Sequence, residues 1–310
     1  MDIGEYIEAN HAALLAWGKE IADRIQSEHS GLLKVPAQVR VKAASSARAK
    51  QLKKGYDNPI EQMTDLVGVR FVVLTSTDLE PIRRSVTTTK AWAAVQARDP
   101  DDEIARSPAT FGYQSHHYEI RPAVVHGAAE QARPLCCEVQ IRTLLQHAYA
   151  ELTHNQMYKT GHQVPSQAER LVARSMALME TTDELLCRAI EAVKEANSPR
   201  DAVLRAASEA VRSLGGASSQ TILDEITQTY AGLIDGAAAG SFRRFLAEKP
   251  YVLDRLRERA GRGLFEFPDA AALTYWLAAK LEDALLEEWP LPSALPEARQ
   301  ILSDLGLATG

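Results

Sequence analysis

The chain has 310 residues, 25% of them charged and 45% apolar, with a formal net charge of −6; it is long enough for one large core or two modest ones and too apolar for a disordered tail. The acidic balance argues against a general nucleic-acid coat. No apolar stretch approaches the roughly 20 residues of a membrane helix or follows a basic N-terminus as a leader would, so a cytoplasmic protein with no membrane partner is expected.

Ile7, Leu14, Ile21 and Ile25 recur at helical spacing, which predicts an amphipathic helix lying over a sheet and ending near Gly31. The β-branched run 35–41 predicts a short strand, and Ser45 or Ser46 is placed to cap a helix running to Lys54, before a turn at 55–59. Further strands are predicted at 67–74, near 113–121 and at 135–141, with a helix over 81–97 and a polar loop over 99–110. Cys136 and Cys137 are adjacent and Cys187 stands alone, so the thiols make neither a disulfide framework nor a CxxC metal pair. Residues 144–159 read as a helix. Ser166 with Glu169 forms a capping-box pattern before a second long helix whose apolar stripe includes Leu171, Leu178, Leu185 and Val193. Asn197-Ser198-Pro199 is the predicted domain boundary. Beyond it lie alanine-rich helical segments punctuated by glycines, with Pro268 placed to start a helix. The chain reads as α+β: a mixed sheet flanked by helices over 1–195, then an all-α domain over 200–310 with no repeat and no catalytic motif.

Two acids stand beside apolar strands, Asp65 just before the run 66–74 and Glu138 inside the run 135–141. A carboxylate so near a buried strand needs a partner or a metal, and two of them far apart in sequence suggest two walls of one site. They offer the hard oxygen ligands that magnesium takes. Each is followed by a guanidinium, Arg70 and Arg142, although the odd step from Asp65 to Arg70 puts both on one face only if a twist or bulge intervenes. Segment 31–54 holds no acid and carries Lys34, Arg40, Lys42, Arg48, Lys50, Lys53 and Lys54. That is either a field for a compact polyanion such as a nucleoside triphosphate or a solvated helix face. In the run FGYQSHHY (111–118), Tyr113 offers a ring on which a base can stack, or one that packs in the sheet. His116 and His117 face opposite sides of the strand, so at most one serves the site. His147, Glu151, His154 and Tyr158 form a polar stripe down one helix face; it lacks a matching further ligand for zinc and suits a substrate or a buried hydrogen-bond network better.

The order Arg40-x-Lys42-x-x-x-Ser46-x-x-x-Lys50, DLVGVR (65–70), FGYQSHH (111–117), EVQIRT (138–143) and QHAYAELTHNQMYK (146–159) resembles the RelA/SpoT-type alarmone synthetase domain, over about residues 30–160. The resemblance implies a nucleotidyltransferase-like fold and transfer of the β,γ-pyrophosphate of ATP to the 3′-hydroxyl of GDP or GTP. Residue by residue, it implies that Arg40, Lys42, Ser46 and Lys50, with Arg70, hold the ATP phosphates. Asp65 binds Mg2+, Tyr113 stacks on the acceptor base, and Glu138 orients or deprotonates the 3′-hydroxyl and shares the metal. Gln140, Arg142 and His117 shape the acceptor side. Lys53, Lys54, His147 and Glu151 are secondary candidates. Where the family commonly carries a proline–lysine pair before the Gly-Tyr block, this chain has Pro108-Ala109, and Arg106 is the candidate substitute.

With about 30 residues before the basic segment, the chain reads as a small synthetase-only protein with an added helical domain. Two other readings stay open: a growth-inhibiting toxin using the same chemistry on the 3′-CCA end of tRNA or on adenine nucleotides, and an inactive relative that only binds nucleotides. The partners these readings imply are ATP and GDP/GTP, tRNA in the toxin reading, and an antitoxin or the C-terminal domain itself as inhibitor; a homo-oligomer is expected.

Overall fold

The computed structural model describes residues 2–123, 136–153 and 164–307. Its contacts divide the chain into Met1–Ala189 and Ile190–Gly310.

The first unit opens with α1 (Ile3–Ala9), whose N-cap Asp2 forms a reciprocal capping box with Glu5, and α2 (His11–Glu28). Strand β1 (Leu33–Val41) leads into α3 (Ala44–Lys54), the short α4 (Pro59–Gln62) and β2 (Val67–Val73). Then come α5 (Leu79–Thr88), β3 (Trp92–Arg98), α6 (Pro100–Arg106), β4 (His116–Pro122), β5 (Cys137–Thr143) and α7 (Leu144–Leu152). The five strands form one mixed sheet in the order β1-β2-β5-β4-β3, parallel between β2 and β5 and antiparallel elsewhere. This is the α+β class expected.

Period-two alternation sorts the central strands into two faces. Val67, Val69, Phe71, Tyr118, Ile120, Cys137, Val139 and Ile141 are buried with Leu14, Trp17, Ile21 and Ile25 of α2 and Ile82 and Val86 of α5 in one core. The alternate residues, polar in β5 and in part of β2, are left on the other face. Gly18 sets how closely α2 approaches the sheet: a Cβ there would lie 2.5 Å from Val39 Cγ1 and 2.7 Å from Val67 Cγ1. Gly18→Ala is therefore expected to destabilise this unit, because about 1–3 kcal/mol of overpacking exceeds the roughly 1 kcal/mol gain in helix propensity. A lower urea midpoint checks it; an unchanged or raised one would show that helix and sheet part freely.

Several expectations need correction. The single N-terminal helix is two, joined at Asn10. Neither Ser45 nor Ser46 caps α3; Ala43 is its N-cap and both serines lie inside the helix. Residues 92–98, expected to continue a helix, form the edge strand β3, because pairing with β4 outweighs the helix propensity of their alanines. The expected loop 99–110 contains α6, with Asp99 as N-cap and Pro100 at its first position. The strand near 113–121 begins only at His116, which leaves Tyr113 in irregular chain.

Helix α8 (Ser166–Val211) includes Asn197, Ser198 and Pro199, so the expected boundary is helical. Proline costs one intrahelical bond there. The stripe Leu171, Leu178, Leu185 and Val193, expected to face a core, is more than half exposed at every position. The buried positions of this stretch are Met176 and Asp183, and a buried acid disguises the inward face. Expectations for Leu135 and for 154–159, including His154 and Tyr158, lie outside the described residues.

The second unit is all-α: the rest of α8, then α9 (Gln220–Thr229), α10 (Ala238–Glu248), α11 (Tyr251–Arg259), α12 (Pro268–Leu281) and α13 (Leu295–Asp304). Pro268 starts α12 as its sequence position predicts. Every residue of α12 from Pro268 to Ala278 is buried, as befits a helix apolar on all sides, and Phe242, Leu223, Val252, Leu285 and Ile301 belong to the same core. Asp304 accepts hydrogen bonds from Arg259 and Tyr275, tying α11, α12 and α13 together.

Candidate active site

The polar face of the sheet is ordered by strand register. Arg40 lies opposite Gly68 and Gly68 opposite Glu138; one step along, Gln38, Arg70, Gln140 and His117 form a second row across four strands. These rows floor a cavity of about 510 Å³, lined by Gln38, Arg40, Lys42, Ser46, Asp65, Gly68, Arg70, Glu138, Gln140 and Glu151 among others. Asp65 and Glu138 thus share one cavity. The parity problem between Asp65 and Arg70 disappears because Asp65 lies before the first residue of β2, where alternation does not bind it.

Asp65 is clamped by two cations: Lys42, just past β1, and Lys50, on α3, place their Nζ atoms 2.8 and 2.9 Å from Oδ2. Its other oxygen, Oδ1, is buried without a hydrogen-bond partner among the described residues. Burial pushes this carboxyl upward, but the two ammonium groups outweigh it and hold Asp65 below the usual carboxylate range.

Glu138 is held from both sides. His117 Nδ1 lies 3.2 Å from Oε1, and Gln140 Nε2 donates to Oε2 at 2.9 Å. Burial again pushes upward, and the His117 and Gln140 contacts reverse it, leaving Glu138 below its ordinary value. On the far side of the ring, His117 Nε2 lies 3.0 Å from the Tyr113 hydroxyl. With Nδ1 donating to the carboxylate, Nε2 is left to accept a hydrogen bond from the Tyr113 hydroxyl. His116 points to the opposite face and is buried there.

A third group is cationic. Arg70 Nη1 donates to Glu151 Oε1 at 2.9 Å, and Gln38 Oε1 lies 3.4 Å from the same nitrogen. Arg142 is 2% exposed, with Nη2 3.7 Å from Glu151 Oε1; its Nε and Nη2 are buried without hydrogen-bond partners among the described residues. Burial, then the neighbouring Arg70, pushes its guanidinium down to about 10. His147 Nδ1 lies 4.0 Å from the same Glu151 oxygen and is pushed down by burial and by Arg142 and Arg70. Guanidinium groups so crowded, with N–H groups to spare, suit an added anion.

Tyr113 and Arg106 line a second cavity of about 410 Å³, together with Arg98, Glu103 and Gln114. The Arg98 guanidinium sits 4.7 Å from the centre of the Tyr113 ring and donates to Glu103 at 2.7 Å and to the Tyr113 carbonyl at 3.1 Å. Lys53 and Lys54, in the last turn of α3, line neither cavity, and Arg48 of the same basic run is spent on the α1 cap Asp2, 2.7 Å away. Sequence reasoning passed over Gln38 and Arg98. Gln38 was legible as the residue two before Arg40, hence on its face; Arg98 became visible only once 92–98 was a strand.

Because Asp65 and Glu138 are both held below their ordinary values, each stabilises the fold above its unfolded-state pKa, near 3.8 and 4.5, and that contribution fades as pH falls through the lower folded-state values. Urea midpoints taken from pH 6 downward should therefore decline below about pH 4.5, and less steeply in the double variant Asp65→Asn/Glu138→Gln. Parallel curves would contradict the assignment.

A polar sheet face bearing two ionised carboxylates and a cluster of cations, with an aromatic cavity in the same unit, suits a polyanionic substrate. Residues 39–163 match the model of the region found in RelA / SpoT proteins. Over 160 residues the chain is 26% identical to the GTP pyrophosphokinase YjbM of Bacillus subtilis (strain 168), covering 51% of this chain and 73% of that protein. Its fold is similar to that of the small alarmone synthetase 2 from Bacillus subtilis, with TM-score 0.50 at 22% identity over 62% of this chain and 99% of the other. A GTP pyrophosphokinase family protein from Streptococcus pneumoniae gives TM-score 0.50 at 20% identity, over 62% and 94%.

Proposed function

We propose that the first unit transfers the β,γ-pyrophosphate of ATP to the 3′-hydroxyl of GDP or GTP. The observation that carries this is Glu138, held ionised by His117 and Gln140 in the cavity it shares with Asp65 and the cations. Glu138 accepts the proton of the 3′-hydroxyl; the freed oxygen forms a bond to the β-phosphorus of ATP, the bond from that phosphorus to the α,β-bridging oxygen breaks, and AMP leaves with that oxygen. Arg40, Lys42, Lys50 and Arg70 neutralise the phosphate oxygens, and Ser46 adds a hydroxyl donor on the same wall. Mg2+ fits the donor set of Asp65 and Glu138, since Asp65 Oδ1 is a buried oxygen without a partner; when bound, it would neutralise charge on the transferring phosphoryl groups. His117 positions Glu138, and Glu151 holds Arg70, with Arg142 beside it shaping the acceptor side. Arg106, lining the cavity of Tyr113, provides the cation for the acceptor's own phosphates that Ala109 lacks. Residues 200–310 would serve regulation or assembly.

Tyr113 is the base platform in this reading. Tyr113→Ala should weaken the acceptor by roughly 1–3 kcal/mol, the worth of one stacked base. Tyr113→Phe should lose only the hydroxyl's bond to His117, about 0.5–1.5 kcal/mol. Acceptor KM values for both variants decide it; equal losses would make the hydroxyl, not the ring, the recognition element.

The reaction is tested by incubating the full chain with labelled ATP and, separately, GDP, GTP, GMP, adenine nucleotides and deacylated tRNA. Label is expected in GDP or GTP. Label in tRNA alone, with a steep salt dependence that charge reversal at Lys53 and Lys54 relieves, would establish the toxin chemistry instead; label in no acceptor would leave a nucleotide-binding protein.

A further inference from the structure

We propose that Asp99, Asp101 and His116 form a second divalent-cation site, for an ion of the Mn2+, Fe2+ or Zn2+ class, on the side of the sheet opposite Glu138. Asp99 caps α6, Asp101 lies in the first turn of that helix, and His116 opens β4. Since His117 reaches Glu138, period-two alternation turns His116 the other way. One ligating atom from each of the three residues lies within 4.8 Å of the others. Three donors bound to one ion at about 2.1 Å stand about 3.0–3.6 Å apart, so side-chain rotations that move the donors by about an ångström close the shell.

The imidazole is the independent pointer. His116 is 3% exposed, and its Nδ1 is buried with no hydrogen-bond partner among the described residues. The nearest carboxylate oxygen, Asp99 Oδ1, stands 3.5 Å away, too far and too poorly aligned for a bond. Buried ring nitrogens are rarely left unbonded, and this one faces the Asp99 carboxylate. Burial and the nearby Arg83 keep His116 below its ordinary value, which favours the neutral ring, the form that ligates metals.

Charge leaves room for a cation. Arg83 lies 3.6 Å from an oxygen of Asp99 and 3.6 Å from one of Asp101, beyond hydrogen-bond reach of both, and its Nε is committed to the Tyr118 hydroxyl at 3.1 Å. Two carboxylates, one guanidinium and a neutral imidazole sum to minus one. Asp99 Oδ1 accepts from the Asp101 N–H and Oδ2 from Gln96 Nε2, which leaves a lone pair on each oxygen. One nitrogen and two oxygen donors suit a borderline cation better than Mg2+, which prefers an all-oxygen shell with several waters. Binding would tie the start of α6 to the start of β4, the two ends of the segment that carries Arg106 and Tyr113. It does not rest on the proposed reaction, because binding is read directly.

The test uses the full chain carrying Asp65→Asn and Glu138→Gln, so that the nucleotide cavity no longer competes for metal. Mn2+ is titrated in and free ion is read by electron paramagnetic resonance. One equivalent is expected to bind, and adding either Asp101→Asn or His116→Gln should weaken it at least about tenfold. Asp101 is exposed, so its variant stays folded even if the buried His116 substitution does not. Absence of binding in the starting chain, or unchanged binding after Asp101→Asn, overturns the site.

Discussion

Glu138→Gln is expected to lower pyrophosphate transfer by at least about a hundredfold, the usual scale for loss of a positioned base or metal ligand. Glutamine keeps the shape; its oxygen accepts from one of His117 and Gln140, and its NH2 meets the other once that ring changes tautomer or that amide flips, so the fold should survive while the negative charge is lost. The decisive comparison is the initial rate at saturating ATP and acceptor beside an unchanged urea transition. Turnover near the parent rate would remove Glu138 from the chemistry and leave its contacts with His117 and Gln140 as mere packing.

Asp65→Asn should be comparably damaging, for a different reason. The carboxylate is the shared counter-ion of Lys42 and Lys50, 2.8 and 2.9 Å from their ammonium groups, and it also carries the buried, unpartnered Oδ1. Neutralising it leaves two cations facing each other and removes an oxygen suited to Mg2+. A rate loss of about a hundredfold or more, with a higher Mg2+ concentration needed for half-maximal rate, is the expected result. An unchanged Mg2+ dependence would restrict Asp65 to holding the two lysines.

How far the molecule could be read from its residues varies along the chain. Strands β1, β2 and β5 were legible because β-branched runs mark them, and the glutamate at 138 was conspicuous because it interrupts one. β3 was hidden: Trp92, Ala93, Ala94 and Ala97 read as helix, and only non-local pairing with β4 makes them strand. α6 is hidden although Asp99-Pro100 is an N-cap followed by a proline at the first helical position, because its polar residues and prolines match a loop equally well. The inward face of α8 escaped because it buries Asp183, whose Oδ2 accepts from the Ser76 N–H at 3.0 Å. Around the site, strand alternation does not govern Asp65, because β2 begins only at Val67. The link Tyr113–His117–Glu138 could not be foreseen because it depends on where the strand begins: Tyr113 precedes β4, and from there its hydroxyl meets His117.

The most direct test of the account is to follow ATP labelled at the β-phosphate in the presence of GDP and Mg2+. If the polar face transfers an intact pyrophosphate, label should enter the acceptor in step with the release of AMP, in a one-to-one ratio, and both should collapse together in Glu138→Gln. Release of ADP and inorganic phosphate, with no label in the acceptor, would contradict it.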